Sequence, residues 1–157
     1  MDTATRQPRI VTMAEWTAVG LMLECPDYEC SGIATLWERL RGFLGRSSGI
    51  TEGYGISLPL PSSTRGNCYW AAVRLMPGDS LPAGLSSIAI PAKRYASWPF
   101  HDAPGKLPQA FGEIFSTRLL AAGLHQDPDW IAIEHYPPDW HDMAAGKIRC
   151  DLMVAIR

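Results

Sequence analysis

Trp130-Ile131-Ala132-Ile133-Glu134-His135-Tyr136-Pro137-Pro138, WIAIEHYPP, reads as a short strand that a double proline ends. Side chains alternate along a strand, so Ala132, Glu134 and Tyr136 share one face. Ile131, Ile133 and His135 share the other. Both faces are thus largely apolar, and one carries a carboxylate beside an aromatic ring. An ionised carboxylate in an apolar site is costly, so burial raises its pKa unless it is paired or hydrogen-bonded. Glu134 is therefore the first candidate for a functional acid.

Working outward, Leu107, Phe111, Ile114, Phe115, Leu119 and Leu120 recur at helical spacing before this strand, and Gly123 supplies a stop. Ser87–Trp98 reads as strand, with a break at Pro91, and His101 to Gly105 reads as loop. Ile148–Ile156 closes the chain as a last strand. The same order stands earlier. Arg9–Met13 and Thr17–Leu23 are strand-like, and Asp27 to Gly32 is turn-like. Ile33, Leu36, Trp37, Leu40, Phe43 and Leu44 mark a helix with Ser31 as its cap and Gly45 or Gly49 as its stop. Gly53–Pro59 and Asn67–Leu75 are strands.

The chain thus reads as two β-α-β-β units, about residues 9–76 and 87–157, within one domain spanning 1–157. Ile10 with Ile88, Ala14 with Ala92 and Pro59 with Pro137 match at one shared offset of 78 residues. The expected fold is α+β: one curved antiparallel sheet, two helices on one face and a groove between them. Seams of repeated units commonly hold ligands. At that offset Tyr54, Ile56 and Leu58 correspond to Ala132, Glu134 and Tyr136.

Composition narrows the function. The chain has 157 residues, 46% hydrophobic and 19% charged, which suits a packed domain rather than a disordered one. A net charge of −2 without Lys/Arg clusters leaves no basic stripe for nucleic acid. The N-terminus, Met1 to Pro8, lacks the apolar run of a signal peptide, and no stretch reaches membrane-span length. Cys25, Cys30, Cys68 and Cys150 form no C-x-x-C pair, so reduced thiols in a cytoplasm are expected, with no metal site and no cofactor. Six Trp and five Tyr are many for this length, and they suggest an aromatic core or cavity.

Two segments carry a resemblance to a known family. One is Ile90-Pro91-Ala92-Lys93-Arg94-Tyr95-Ala96-Ser97-Trp98-Pro99-Phe100-His101-Asp102-Ala103-Pro104-Gly105; the other is Ile133-Glu134-His135-Tyr136. In this order around a helix, they resemble the GyrI-like, or AraC-type, effector-binding domains, including stand-alone cation-binding proteins of mobile integron cassettes. The resemblance implies a pocket in which a central Glu meets lipophilic cations. That role falls on Glu134, with Tyr136 as the motif tyrosine and Trp98 in place of the more usual Phe. Many such domains follow a DNA-binding domain; only a short tail precedes this one, so direct promoter binding is not implied.

The expected ligand-binding set is Glu134, Tyr136, Trp98, Trp37, Tyr54 and Phe111, holding small lipophilic cations, with no catalytic residue assigned. Three alternatives stand beside this reading. One is a GyrI-like hydrolase of cyclopropane-type electrophiles with Glu134 as general acid or base. A second is a partner-binding protein, such as a topoisomerase inhibitor or a homodimer joined through the second apolar strand face. A haem protein of the same broad fold is disfavoured, since no histidine stands where an axial ligand would. His101-Asp102 and His141-Asp142 lack a nucleophile at readable spacing and are taken as solvated, as are Glu38, Arg39 and Arg41 of the first helix. Asp127-Pro128-Asp129 is turn chemistry.

Overall fold

Eight strands form a single antiparallel sheet in the computed structural model, which describes residues 7–44, 52–60, 65–138 and 146–157. The strands are β1 (Arg9–Met13), β2 (Trp16–Pro26), β3 (Gly53–Pro59), β4 (Gly66–Leu75), β5 (Ser86–Ile90), β6 (Lys93–Asp102), β7 (Ala132–Tyr136) and β8 (Ile148–Ile156). Their order across the sheet is β1-β6-β8-β7-β3-β4-β2-β5. Helix α1 (Ile33–Leu44) links β2 to β3. Between β6 and β7 the chain runs through a 3₁₀ turn at Pro104–Lys106, helix α2 (Leu107–Glu113), a π-helical stretch Ile114–Arg118 and α3 (Leu119–Ala121). A β-α-β-β pattern therefore occurs twice, and the two copies meet where β7 pairs with β3.

The short strands β1 and β5 are traded between the halves. β1 pairs with β6 of the second half, and β5 pairs with β2 of the first. This is why Ser87–Trp98 is two strands: Pro91 has no N–H to donate, and beyond it the chain leaves one sheet edge for the other. β6 runs on through His101 and Asp102, which lie in strand rather than in the expected loop. Near the ends of α1 the placement also shifts. Leu36 N–H donates to the Gly32 carbonyl, so Gly32 rather than Ser31 holds the cap position. The stop expected at Gly45 or Gly49 lies outside the described residues, as does His141-Asp142. Gly123 ends α3 as expected: at φ 70° it lets Leu124 N–H reach the Leu119 carbonyl and its own N–H reach Leu120.

Each face of the sheet buries its own apolar layer. The helix side packs Leu36, Trp37 and Leu40 of α1 and Ile114 and Leu119 of the second helical run against Tyr69, Trp98, Leu152 and Val154. The other face gathers Trp16, Tyr54, Ile56, Trp70, Tyr95, Ile133 and Met153, as the sheet curls into a half-barrel around them. Ile131 and Ile133 are thus buried inside the chain, and their apolarity needs no partner protein.

The offset of 78 residues does not survive the structure. On the helix side the first half presents odd numbers: Val19, Leu21, Leu23, Tyr69 and Ala71. The second half presents even ones: Ala96, Trp98, Phe100, Leu152 and Val154. Equivalence that preserves the face needs an odd offset, because a one-residue slip moves every side chain to the opposite side.

The disulfide is a second correction. Cys25 and Cys30 are joined, with Cα atoms 4.8 Å apart. Asp27 (φ 53°) and Tyr28 (φ 62°) both adopt left-handed backbone, which folds the chain back at the end of β2 and brings the cysteines together. The turn at Asp27 to Gly32 was expected, but cysteine spacing alone did not reveal the bond that it closes. Cys68 and Cys150 are free and buried. Among the described residues no helix is long and apolar enough to cross a membrane.

Candidate functional site

The central strands supply a floor. β7 lies between β8 and β3, so Glu134 faces Leu152 on one side and Gly55 on the other. Glu134 and Tyr136 point to the helix side, as alternation predicts, and Ile133 points away. Above this floor is a cavity of about 600 Å³. Glu134, Tyr136, Tyr69 and Ser57 line its base. Ile33, Ala34 and Trp37 of α1 form one wall; Leu107, Pro108 and Phe111 of α2 form the other. Tyr28, Cys30, Glu38, Arg41, Pro104, Gly105 and Ile148 complete the lining.

Glu134 is 8% exposed and is the one buried carboxylic acid among the described residues. Tyr136 O–H donates to its Oε1 at 2.7 Å, and Tyr69 O–H donates to the same oxygen at 3.2 Å. Trp37 Nε1–H donates to Tyr69 Oη at 3.0 Å, which leaves the phenolic proton free to turn toward the carboxylate. The Trp37 ring also meets Tyr136 edge to face, with centroids 5.4 Å apart. One tryptophan therefore holds both tyrosines on one oxygen. No salt bridge to Glu134 is formed among the described residues.

Burial raises the pKa of Glu134, and the two tyrosine hydrogen bonds pull the other way without cancelling it. Burial, and then the neighbouring carboxylate, push both Tyr69 and Tyr136 up, so the phenols keep their protons. The site is a carboxyl group with two neutral donors on one oxygen and no ion pair to that group among the described residues.

Gly55 makes the arrangement possible. A Cβ there would lie 2.4 Å from Tyr69 Oη and 2.9 Å from Glu134 Oε1. Tyr69 stands on β4, two strands from β7, and reaches Glu134 over the bare backbone of β3. Tyr69 and Gly55 are the members that reasoning from the residues missed. A signal existed in Gly53-Tyr54-Gly55, since glycine at alternate strand positions often marks close approach.

The expected set divides. Glu134, Tyr136, Trp37 and Phe111 come together at the cavity. Tyr54 does not: it pairs with His135 across β3 and β7, and the two rings stack on the far face at 4.7 Å. Trp16 packs against it there, and burial, with Glu52 second, pushes the Tyr54 hydroxyl up to about 12. The even offset had placed Tyr54 opposite its true face. Trp98 is 1% exposed and packs in the layer between sheet and helices, away from the cavity surface. Glu38 and Arg41, read as solvated, are exposed yet reach the cavity lining.

The profile of the GyrI-like small molecule binding domain matches residues 6–157. The chain belongs to this family. No curated protein matches this GyrI-like chain in sequence. Among solved structures, SAV2435 bound to tetraphenylphosphonium is similar at a TM-score of 0.70 and 16% identity, covering 97% of this chain and 94% of that one. The integron cassette protein VCH_CASS2, from the mobile metagenome of Vibrio cholerae, is similar at 0.64 and 15%, covering 97% of both chains. A hydrolase encoded by lin2189 from Listeria innocua is similar at 0.58 and 9%, covering 97% and 92%. At these identities the likeness is one of fold.

Proposed function

We propose that this GyrI-like domain captures lipophilic, cationic, aromatic molecules, with Glu134 as the counter-charge and Tyr136, Tyr69, Trp37 and Phe111 as the surfaces around the guest. One observation carries the reading: a buried carboxyl lines an aromatic cavity and has no cationic partner among the described residues. Burial raises the pKa of this carboxyl, so without a guest the proton is held to higher pH than on a free side chain. A cation entering the cavity restores the ionised form in a setting of low dielectric, where the attraction is worth more than in water. Aromatic faces add about 0.5–2 kcal/mol each when desolvated. Flat walls and one buried charge constrain shape little, so many cations of suitable size fit. The tetraphenylphosphonium held by SAV2435 is such a molecule. We assign the domain no nucleic-acid contact of its own, given a net charge of −2.

Titration with tetraphenylphosphonium, read by tryptophan quenching, tests the proposal. Saturable binding that Glu134→Gln abolishes is the expected result. Equal affinity for the wild type and Glu134→Gln would reject it.

A second reading is hydrolysis, favoured by the phenol-flanked carboxyl and by the lin2189 hydrolase among the similar folds. A carboxyl with a raised pKa suits general acid–base work near neutral pH. Turnover of a cyclopropane-bearing electrophile, lost in Glu134→Gln, distinguishes this from capture alone.

A further inference from the structure

At the mouth of the cavity stands a residue held by an unusual local structure. Tyr28 lines the cavity and is 59% exposed, so its ring borders both the guest space and solvent. It is the second of two consecutive non-glycine residues with positive φ, after Asp27. Side chains disfavour that backbone, so something must hold it. Tyr28 N–H donates to the Cys25 carbonyl at 3.2 Å, and Glu29 N–H to the Pro26 carbonyl at 3.0 Å. Asp27 N–H donates to the Arg65 carbonyl at 3.1 Å. The Cys25–Cys30 bond closes the loop, with Tyr28 near its middle.

The two sulfurs sit differently. Cys25 is fully buried in the layer between sheet and helices. Cys30 is half-buried and lines the cavity. The buried Asn67 amide donates to Cys30 Sγ at 3.8 Å. An attacking thiolate can therefore approach Cys30 from the mouth, with Cys25 as the leaving sulfur.

We propose that the Cys25–Cys30 disulfide is a redox latch that fixes Tyr28 as an aromatic flap over the cavity, so that its reduction loosens the flap and weakens ligand retention. The proposal rests on the capture reading above and names a control on that same site. The chemistry is thiol–disulfide exchange with a dithiol. The dithiol supplies two electrons and two protons and closes its own disulfide, while the Sγ–Sγ bond breaks to leave Cys25 and Cys30 as thiols. Without that bond, three backbone hydrogen bonds and the exposed Arg65–Asp27 ion pair at 3.6 Å are left to hold two residues in a disfavoured conformation, and Tyr28 gains freedom that a guest must then remove. Linkage makes the effect reciprocal: a bound cation resists reduction of the disulfide by the same factor that reduction weakens the cation.

The test uses the full chain, oxidised or reduced with a dithiol, with thiol content confirmed by mass spectrometry. Two quantities are read: amide hydrogen exchange over residues 26–32 of the free protein, and tetraphenylphosphonium affinity. Reduction is expected to speed exchange in that segment while the central strands stay protected, and to weaken binding about five- to tenfold. Cys25→Ser/Cys30→Ser should behave as the reduced protein. Tyr28→Ala should bind more weakly when oxidised and show no further loss on reduction. Equal binding by oxidised and reduced protein, or a redox effect that persists in Tyr28→Ala, overturns the latch and leaves the capture reading intact. Absence of binding in both redox states overturns both.

Discussion

Gly55 stands directly opposite Glu134 across the central strand pair, where a Cβ would intrude to 2.9 Å from the carboxylate oxygen. Gly55→Ala is the smallest change that tests the site's construction. The added methyl must displace Tyr69 Oη, which lies 2.4 Å from its ideal position, and the tyrosine is fully buried against Trp37. Overpacking of this kind costs about 1–3 kcal/mol, more than the strand propensity that alanine regains. Chemical denaturation should show that loss, and cation titration should show weakened binding. An unchanged midpoint with unchanged affinity would mean that the network does not depend on the gap.

Glu134→Gln keeps the shape and an acceptor for the two tyrosines but removes the titration. The wild-type carboxyl has its pKa raised by burial above the ordinary 4.5. The unfolded chain therefore releases its proton first as pH rises. Stability present below about pH 4.5 is lost progressively up to the folded pKa. The variant should lack this slope and be the more stable protein at neutral pH without ligand. Denaturant midpoints measured from pH 4 to 8 decide the sign.

Ligand binding should run the opposite way with pH. A permanent cation needs the ionised carboxylate, so its affinity should rise as pH passes upward through the Glu134 pKa and then level. Binding below that point should release a proton. Calorimetry in buffers of different ionisation enthalpy detects it, and the release should vanish in Glu134→Gln.

The two tyrosines should separate in their effects. Tyr136→Phe removes the shorter hydrogen bond, 2.7 Å, and should weaken cation binding by about tenfold with little effect on stability. Tyr69→Phe removes the longer one, 3.2 Å, and also takes away the hydroxyl that accepts from Trp37 Nε1–H. Its larger effect should fall on stability, by about 1–3 kcal/mol. Pairing affinity with melting data on both variants checks the order.

Tyr54→Phe serves as the opposite control. Tyr54 lies on the far face against Trp16 and His135, so cation affinity should stay within about twofold of wild type. A tenfold loss would place the guest on the wrong side of the sheet.

Much of this was readable in the residues. Alternation in WIAIEHYPP put Glu134 and Tyr136 on one face, and helical spacing identified Trp37 and Phe111 as core-facing positions of the two helical segments. These are local consequences of backbone geometry, in which period 2 or 3.6 assigns a side chain to a face. The same logic misplaced Tyr54, because a repeat offset wrong by one residue reverses a strand.

The sequence by itself determined most of the elements, their order and the face on which Glu134 stands, since these depend on neighbours along the chain. Only the tertiary structure decided that Tyr69 reaches Glu134, that Gly55 clears its path, and that Cys25 meets Cys30 beside the cavity. Sheet order places β3 between β7 and β4, and a left-handed turn reverses the chain at Tyr28. The contacts of Tyr69, Gly55 and Glu134 arise between segments whose separation along the chain carries no record of their distance in space.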